Sequence, residues 1–128
     1  MSLRTPLGRV LGAGSAHEGA HHWTAQRATA VALTLLTIWF VVSIVRLPLA
    51  DHASVTAWIA HGANPVLLAL LAIVASWHSQ LGVQVVIEDY VHGRHAKIAL
   101  LLASTFAHVL IAAVAVLALL RIALRSFG

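Results

Sequence analysis

An uncharged stretch of 27 residues, 61–87, reads HGANPVLLALLAIVASWHSQLGVQVVI and decides the fold. Two further uncharged runs, 28–45 and 98–120, stand on either side of it along the chain. A helix crosses a hydrocarbon core of about 30 Å with about 20 residues, because each residue adds about 1.5 Å. The sequence therefore predicts three transmembrane helices.

The composition supports a membrane protein over a soluble one. Hydrophobic residues make up 60% of the 128 residues and charged residues only 9%, which is too little charge to cover a soluble domain. Three buried helices of a soluble bundle are the alternative, but none of the runs has a charged face. A signal peptide is a poor reading of 28–45, because Arg46 follows it without a small-residue cleavage site. The predicted fold class is an all-α membrane protein.

Glycines and prolines divide the chain into an arm and an anchor domain. Residues 1–24 contain four glycines and no apolar stripe at helical spacing, which predicts an extended cytoplasmic N-terminal arm. Residues 25–128 form the predicted three-helix transmembrane domain, with helices at about 25–46, 62–90 and 96–122. The intervening segment 46–60 is predicted to be a short loop outside the membrane.

The positive charges predict the orientation. Five Lys or Arg residues lie in the N-terminal segment and the second loop, and three lie at the opposite helix ends. The positive-inside rule then places the N-terminus in the cytoplasm and the C-terminus in the periplasm. The first ten residues contain Arg4 and Arg9 and no acidic residue, as in a mitochondrial presequence. A segment of ten residues is short for a presequence, however. We expect a bacterial cytoplasmic membrane rather than a mitochondrial inner membrane.

The same charges favour lipid as a partner over nucleic acid. They lie at helix ends and do not form one continuous basic face, so they suit lipid headgroups. The chain has no cysteine, which excludes disulfides, thiolate metal sites and thiol nucleophiles. A metal ion would therefore need nitrogen or oxygen ligands, and the chain has nine histidines.

Two histidines fall inside the predicted spans, where an ionisable side chain is a functional candidate. His78 lies ten residues before Glu88, about 15 Å along the helix, and His108 lies at a similar depth. Neutral imidazole is an axial ligand of haem iron, and Gly82 on the same face as His78 would let a flat macrocycle approach. Alternatively, His78 forms a hydrogen bond to a neighbouring helix.

Other polar residues cluster at the cytoplasmic helix ends. Asp89 and Tyr90 suit an ordinary interfacial helix end, or a quinone site in which a phenol donates to the quinone carbonyl. Arg27, preceded by His21, suits a topology-setting charge or a partner for an anion such as a haem propionate. The residues alone leave both pairs of readings open.

One motif is similar to a known family. His78, Gly82, Asp89 and Tyr90, spaced as H-x3-G-x6-D-Y, resemble the smaller cytochrome b anchor subunit of succinate:quinone oxidoreductase, respiratory complex II. The N-terminal GAHHWTAQRATAVALTLL, in which His21 precedes Arg27 by six residues, resembles the entry of that family into its first helix. With three helices and the chain length, the resemblance extends over essentially the whole protein.

The resemblance implies roles for these residues. His78 would be one axial ligand of a haem b, and a second cytochrome b anchor subunit would supply the other. Asp89 and Tyr90 would lie at the ubiquinone site, while Arg27, and less directly His21, would lie near the haem propionates. The bundle formed by this chain would then be completed by the second anchor subunit.

Two residues depart from the family pattern. Glu88 adds a second negative charge beside Asp89, at a position where threonine is common in the family. His108 does not belong to the motif, and its depth leaves an intrachain pair of iron ligands open. We favour the family arrangement, in which His108 packs or forms hydrogen bonds.

The resemblance also implies a function. The chain would anchor a flavoprotein and an iron–sulfur subunit, hold half of a haem and help to build the site where electrons from succinate reach ubiquinone. It would have no activity alone, and without cysteine or a dinucleotide fingerprint it needs partners for the clusters and the flavin. The alternative is a purely structural three-helix anchor or assembly protein without haem or quinone.

Overall fold

The computed structural model describes residues 15–48 and 51–125, with side chains described from residue 19. It contains four helices and, within the described residues, no strand. We number them α1 (Ser15–Val45), α2 (His52–Ala60), α3 (Asn64–Tyr90) and α4 (Arg94–Arg125). Three of them, α1, α3 and α4, are long and apolar enough to cross a membrane, which confirms the predicted all-α membrane fold.

The surface of the long helices is apolar on all sides. Large aliphatic side chains such as Leu35 and Leu110 are more than three-fifths exposed. Among the described residues, two of the four buried side chains are polar, namely Thr29 and Ser76. A chain that exposes leucine side chains and buries hydroxyl groups is suited to a lipid environment. In lipid, helices associate through hydrogen bonds and close packing.

Helix α3 is the central helix. It packs against α1 and, more extensively, against α4, whereas no Cα atom of α1 lies within 8 Å of one in α4 among the described residues. The three spans therefore form an open row, and each outer helix meets a different part of the α3 surface. This arrangement gives the polar side chains of α3 two separate neighbours.

The segment predicted as a loop contains a helix. Asp51 caps the N-terminus of α2, because its carboxylate accepts hydrogen bonds from the backbone N–H groups of Ala53 and Ser54 and from the Ser54 hydroxyl. The hydrogen bonds from Ser54 lower the pKa of Asp51. Trp58 of α2 stacks on Trp39 of α1 with 6.0 Å between the ring centroids.

The predicted arm differs from the structure as well. Helix α1 begins at Ser15, so residues 15–24 are helical where an extended arm was predicted. Once a helix has formed, each added residue closes a backbone hydrogen bond, so the helix continues past the membrane edge without an apolar stripe. Residues 1–14 of the predicted arm lie outside the described residues.

Two tight turns frame α3. Gly62 adopts a left-handed backbone conformation, φ 56°, between α2 and α3, which favours glycine there. At the other end, the Lys97 ammonium donates to the Glu88 carbonyl oxygen at 2.8 Å and so satisfies one of the last carbonyl groups of α3. This contact lies at the end of α3 that carries Asp89 and Tyr90.

Candidate haem and quinone site

His78 of α3 faces α1 and contacts a buried threonine. Its Nδ1 lies 3.0 Å from the Oγ1 of Thr29, whose side chain is only 4% exposed. The Thr29 hydroxyl has a single hydrogen, and it donates this hydrogen to the carbonyl oxygen of Ala25 at 2.8 Å, with that of Gln26 at 3.1 Å as a second acceptor. The oxygen therefore presents a lone pair to the imidazole.

This arrangement favours one tautomer of His78. When the Thr29 hydrogen is donated to the Ala25 carbonyl oxygen, the Thr29 oxygen accepts from His78, and Nδ1 carries the ring hydrogen. In neutral imidazole the other nitrogen then has a free lone pair, and Nε2 of His78 has no hydrogen-bond partner among the described residues. A neutral imidazole with a fixed Nδ1–H and a free Nε2 has the form in which histidine binds metals.

His78 also lines a cleft with one face of α1. The cleft has a volume of about 310 Å³ and is lined by His78, Trp23, Gln26, Arg27 and Ala30. The Arg27 guanidinium lies 5.5 Å from the centre of the Trp23 ring, within cation–π distance. The structure thus brings together the predicted iron ligand and the predicted propionate partner.

Gly82 lies one helical turn beyond His78. A Cβ atom at this position would meet no packed atom of the described residues within 4 Å, and the backbone of Gly82 is not left-handed. Neither packing within the chain nor backbone conformation therefore requires glycine here. The missing side chain leaves open space one helical turn from His78, on the same face of α3.

His108 lies on the other side of α3. Its Nδ1 donates to the Ser104 carbonyl oxygen at 2.7 Å, and its Nε2 lies 3.1 Å from the Ser79 hydroxyl. It lines a separate groove between α3 and α4 and does not line the His78 cleft. Within the described residues, no three His, Cys, Asp or Glu side chains form a group that would hold a metal ion.

The acidic end of α3 is exposed. Tyr90 is 79% exposed, and neither its hydroxyl nor the Asp89 carboxylate has a hydrogen-bond partner among the described residues. Glu88 differs, because its side chain accepts a hydrogen bond from Gln84 at 2.8 Å. This chain alone does not enclose a pocket at Asp89 and Tyr90 within its described part.

The two neighbouring histidines of α1 have different surroundings. His21, the predicted propionate partner, is exposed. His22 is half-buried, and its Nε2 is buried without a partner among the described residues. Sequence reasoning did not single out His22 or Thr29. The spacing of seven residues between them, two helical turns, was the available signal that they share one face of α1.

Residues 1–119 match the family described as succinate dehydrogenase/fumarate reductase transmembrane subunit. The chain belongs to this family. A succinate dehydrogenase hydrophobic membrane anchor subunit of Paracoccus denitrificans is 36% identical over 124 residues, which cover 97% of this chain and 95% of the relative.

Other members of the family have the same description. The succinate dehydrogenase hydrophobic membrane anchor subunit of Rickettsia bellii is 33% identical over 89 residues, 70% of this chain and 71% of the relative. That of Rickettsia conorii is 30% identical, with the same coverage of each chain. No solved structure shows a significant match. The chain is a membrane anchor and a multi-pass protein of the bacterial inner membrane.

Proposed function

We propose that this chain is the membrane-anchor subunit of a succinate dehydrogenase and that His78 is an axial ligand of a haem b shared with a second cytochrome b anchor subunit. The observation that carries the proposal is the hydrogen bond between His78 and Thr29. It occupies Nδ1 and leaves the Nε2 lone pair free, which is the requirement for binding iron.

Two further features of the cleft fit a haem. Gly82 leaves open space on the side of α3 that carries His78, so a flat macrocycle would meet no side chain there. Arg27 supplies a positive charge at the cytoplasmic end of the same cleft, where it would pair with a propionate. His21 is a weaker candidate for a propionate partner, since it is exposed and is not among the residues that line the cleft.

Haem b, when bound, supplies a one-electron carrier. Three residues of this chain would hold and orient it: His78 through Nε2, Thr29 through the bond to Nδ1, and Arg27 through its charge. His108 has partners for both ring nitrogens within the chain, which supports a second iron ligand from another subunit. Iron with one ligand from each subunit would also join the two anchors.

The proposed ubiquinone site lies at the cytoplasmic end of α3. The Tyr90 hydroxyl would donate a hydrogen bond to a quinone carbonyl, and Asp89 beside it would pass protons to the reduced quinone. Both groups are free of partners among the described residues, so they are available to a ligand. The remaining walls of the site would come from the neighbouring subunits.

The flavoprotein and iron–sulfur subunits are the remaining proposed partners. Relatives are described as anchors of succinate dehydrogenase, and a chain without cysteine has no ligands for cysteine-bound clusters. Succinate oxidation would therefore occur on the partners, and this chain would contribute no activity alone. Electrons would reach ubiquinone at the membrane surface, where Asp89 and Tyr90 lie.

A purely structural anchor is the second candidate, and the same hydrogen bond favours it, since a bond between Thr29 and His78 also joins α1 to α3. A reduced-minus-oxidised spectrum of the complex purified through this chain separates the two. We expect a b-type spectrum together with three partner proteins, and its loss in a His78→Ala complex that keeps its subunits. If the same subunits co-purify without a b-type spectrum, the result would support the purely structural anchor.

A further inference from the structure

We infer that Thr29 is a positioning residue that fixes the tautomer and ring orientation of His78 and tunes the iron bound there. This inference rests on the proposed haem ligation by His78. It concerns a residue outside the recognised motif, 49 positions away from the histidine along the chain.

Thr29 is a buried hydroxyl residue. Its side chain is among the most buried of the described residues, at 4% exposure, and it lies between α1 and α3. Water therefore does not compete for its hydroxyl. The hydrogen goes to backbone carbonyl oxygens of its own helix, at 2.8 Å and 3.1 Å, which is the usual bond of a threonine inside a helix.

The Thr29 oxygen favours one tautomer of His78. An oxygen that has given its hydrogen to Ala25 can only accept from His78. In the other tautomer the hydrogen is on Nε2, and Nδ1 has a lone pair. This lone pair would face a lone pair of the Thr29 oxygen, and the two would repel. Thr29 therefore disfavours the tautomer that cannot bind iron through Nε2 and holds the ring plane from one edge.

The same bond has an electronic effect. A group that accepts from the Nδ1–H of a metal-bound imidazole raises the basicity of the ligand. A more basic ligand stabilises ferric over ferrous iron and lowers the reduction potential. Removal of the acceptor should therefore raise the midpoint potential of the haem.

Thr29→Val tests this inference, because valine keeps the shape of threonine and removes the hydroxyl. In the purified complex we expect a higher midpoint potential, altered g-values of the ferric haem, and haem loss accelerated about tenfold, as for other residues that orient metal ligands. Thr29→Ser keeps the acceptor and should restore wild-type values. A contact that only packs helices would alter stability without shifting the potential.

Thr34→Val is the matched control. Thr34 lies on α1, donates to the Ala30 carbonyl oxygen at 2.8 Å and is exposed, with no bond to α3 among the described residues. It should leave the haem unchanged. A wild-type potential and haem content in Thr29→Val, or a Thr29→Ser complex as perturbed as Thr29→Val, would overturn the inference.

The His78→Ala complex separates this inference from the function on which it depends. Loss of haem in His78→Ala together with an unchanged Thr29→Val complex would reject the role of Thr29 alone. Haem retained in His78→Ala would reject the ligand assignment, and with it the role of Thr29.

Discussion

The Nε2 of His108 lies 3.1 Å from the hydroxyl of Ser79, which joins α4 to α3 inside the membrane. One turn earlier on α3, the buried Ser76 hydroxyl donates to the backbone carbonyl oxygen of His108 at 2.6 Å. The two serines thus bind the side chain and the backbone of one residue. This pair of bonds gives His108 a packing role, separate from that of His78.

Removal of both serine hydroxyls should weaken the α3–α4 pair. A hydrogen bond between membrane helices contributes about 0.6 kcal/mol on average, so we expect the Ser76→Ala/Ser79→Ala variant to lose about 1 kcal/mol. Unfolding in mixed micelles measures this loss. Ser43→Ala is the control, because Ser43 donates only to Trp39 of its own helix, and it should have a much smaller effect. Equal effects of the two changes would contradict the account.

Tyr90→Phe tests the quinone site. The change removes one hydroxyl from an exposed side chain, so the fold should be unaffected. We expect succinate:ubiquinone reductase activity to fall about tenfold. This corresponds to the loss of a hydrogen bond that stabilises the transition state by about 1.4 kcal/mol. Succinate oxidation with a soluble artificial acceptor should persist. Equal loss of both activities would remove Tyr90 from the quinone site.

Arg27→Gln tests the anion partner. Loss of a positive charge near the haem favours the ferric form, so the midpoint potential should fall, opposite in sign to the Thr29→Val effect. Arg27→Lys keeps the charge but loses the bidentate geometry and should lie between Arg27→Gln and wild type. Arg46→Gln, a change beyond the opposite end of α1, is the control and should leave the potential unchanged. An unchanged potential in Arg27→Gln would exclude Arg27 from the haem site.

The orientation is testable because the chain contains no cysteine. Two exposed histidines lie in turns at opposite ends of α3: His61 before the helix and His92 after it. Each can be replaced by a single cysteine. In intact cells an impermeant maleimide should label His61→Cys from the periplasm and should label His92→Cys only after lysis. The reverse pattern would place the N-terminus outside.

The uncharged runs predicted the three spans because lipid imposes a minimum apolar length on any helix that crosses it. The same reasoning could not find the first turns of α1, where Gly19 and its neighbours present no apolar stripe. Helix α2 had a readable start signal, since Asp51 is followed by Ser54 as in many helix caps, but Pro48 favoured a loop. Its packing against α4 depends on contacts distant in sequence.

The sequence predicted those site residues that can be recognised within a single helix. His78 stands out because an ionisable residue inside a span is rare, and Gly82 follows from helical spacing. Thr29 could not be found in this way, since threonine is common in apolar helices and its partner lies on another helix. Likewise, the separation of His78 from His108 depends on the central place of α3, which depth along the helix does not reveal.

Haem ligation by His78 is tested by the haem content of the His78→Ala and His108→Ala complexes, measured side by side as reduced-minus-oxidised spectra. We expect the His78→Ala complex to lose the b-type spectrum, because the nitrogen lone pair left free by Thr29 is gone. We expect the His108→Ala complex to keep the spectrum and to lose only the stability of the α3–α4 pair. Haem retained in His78→Ala and lost in His108→Ala would show that His78 is not the ligand and would assign the ligand to α4.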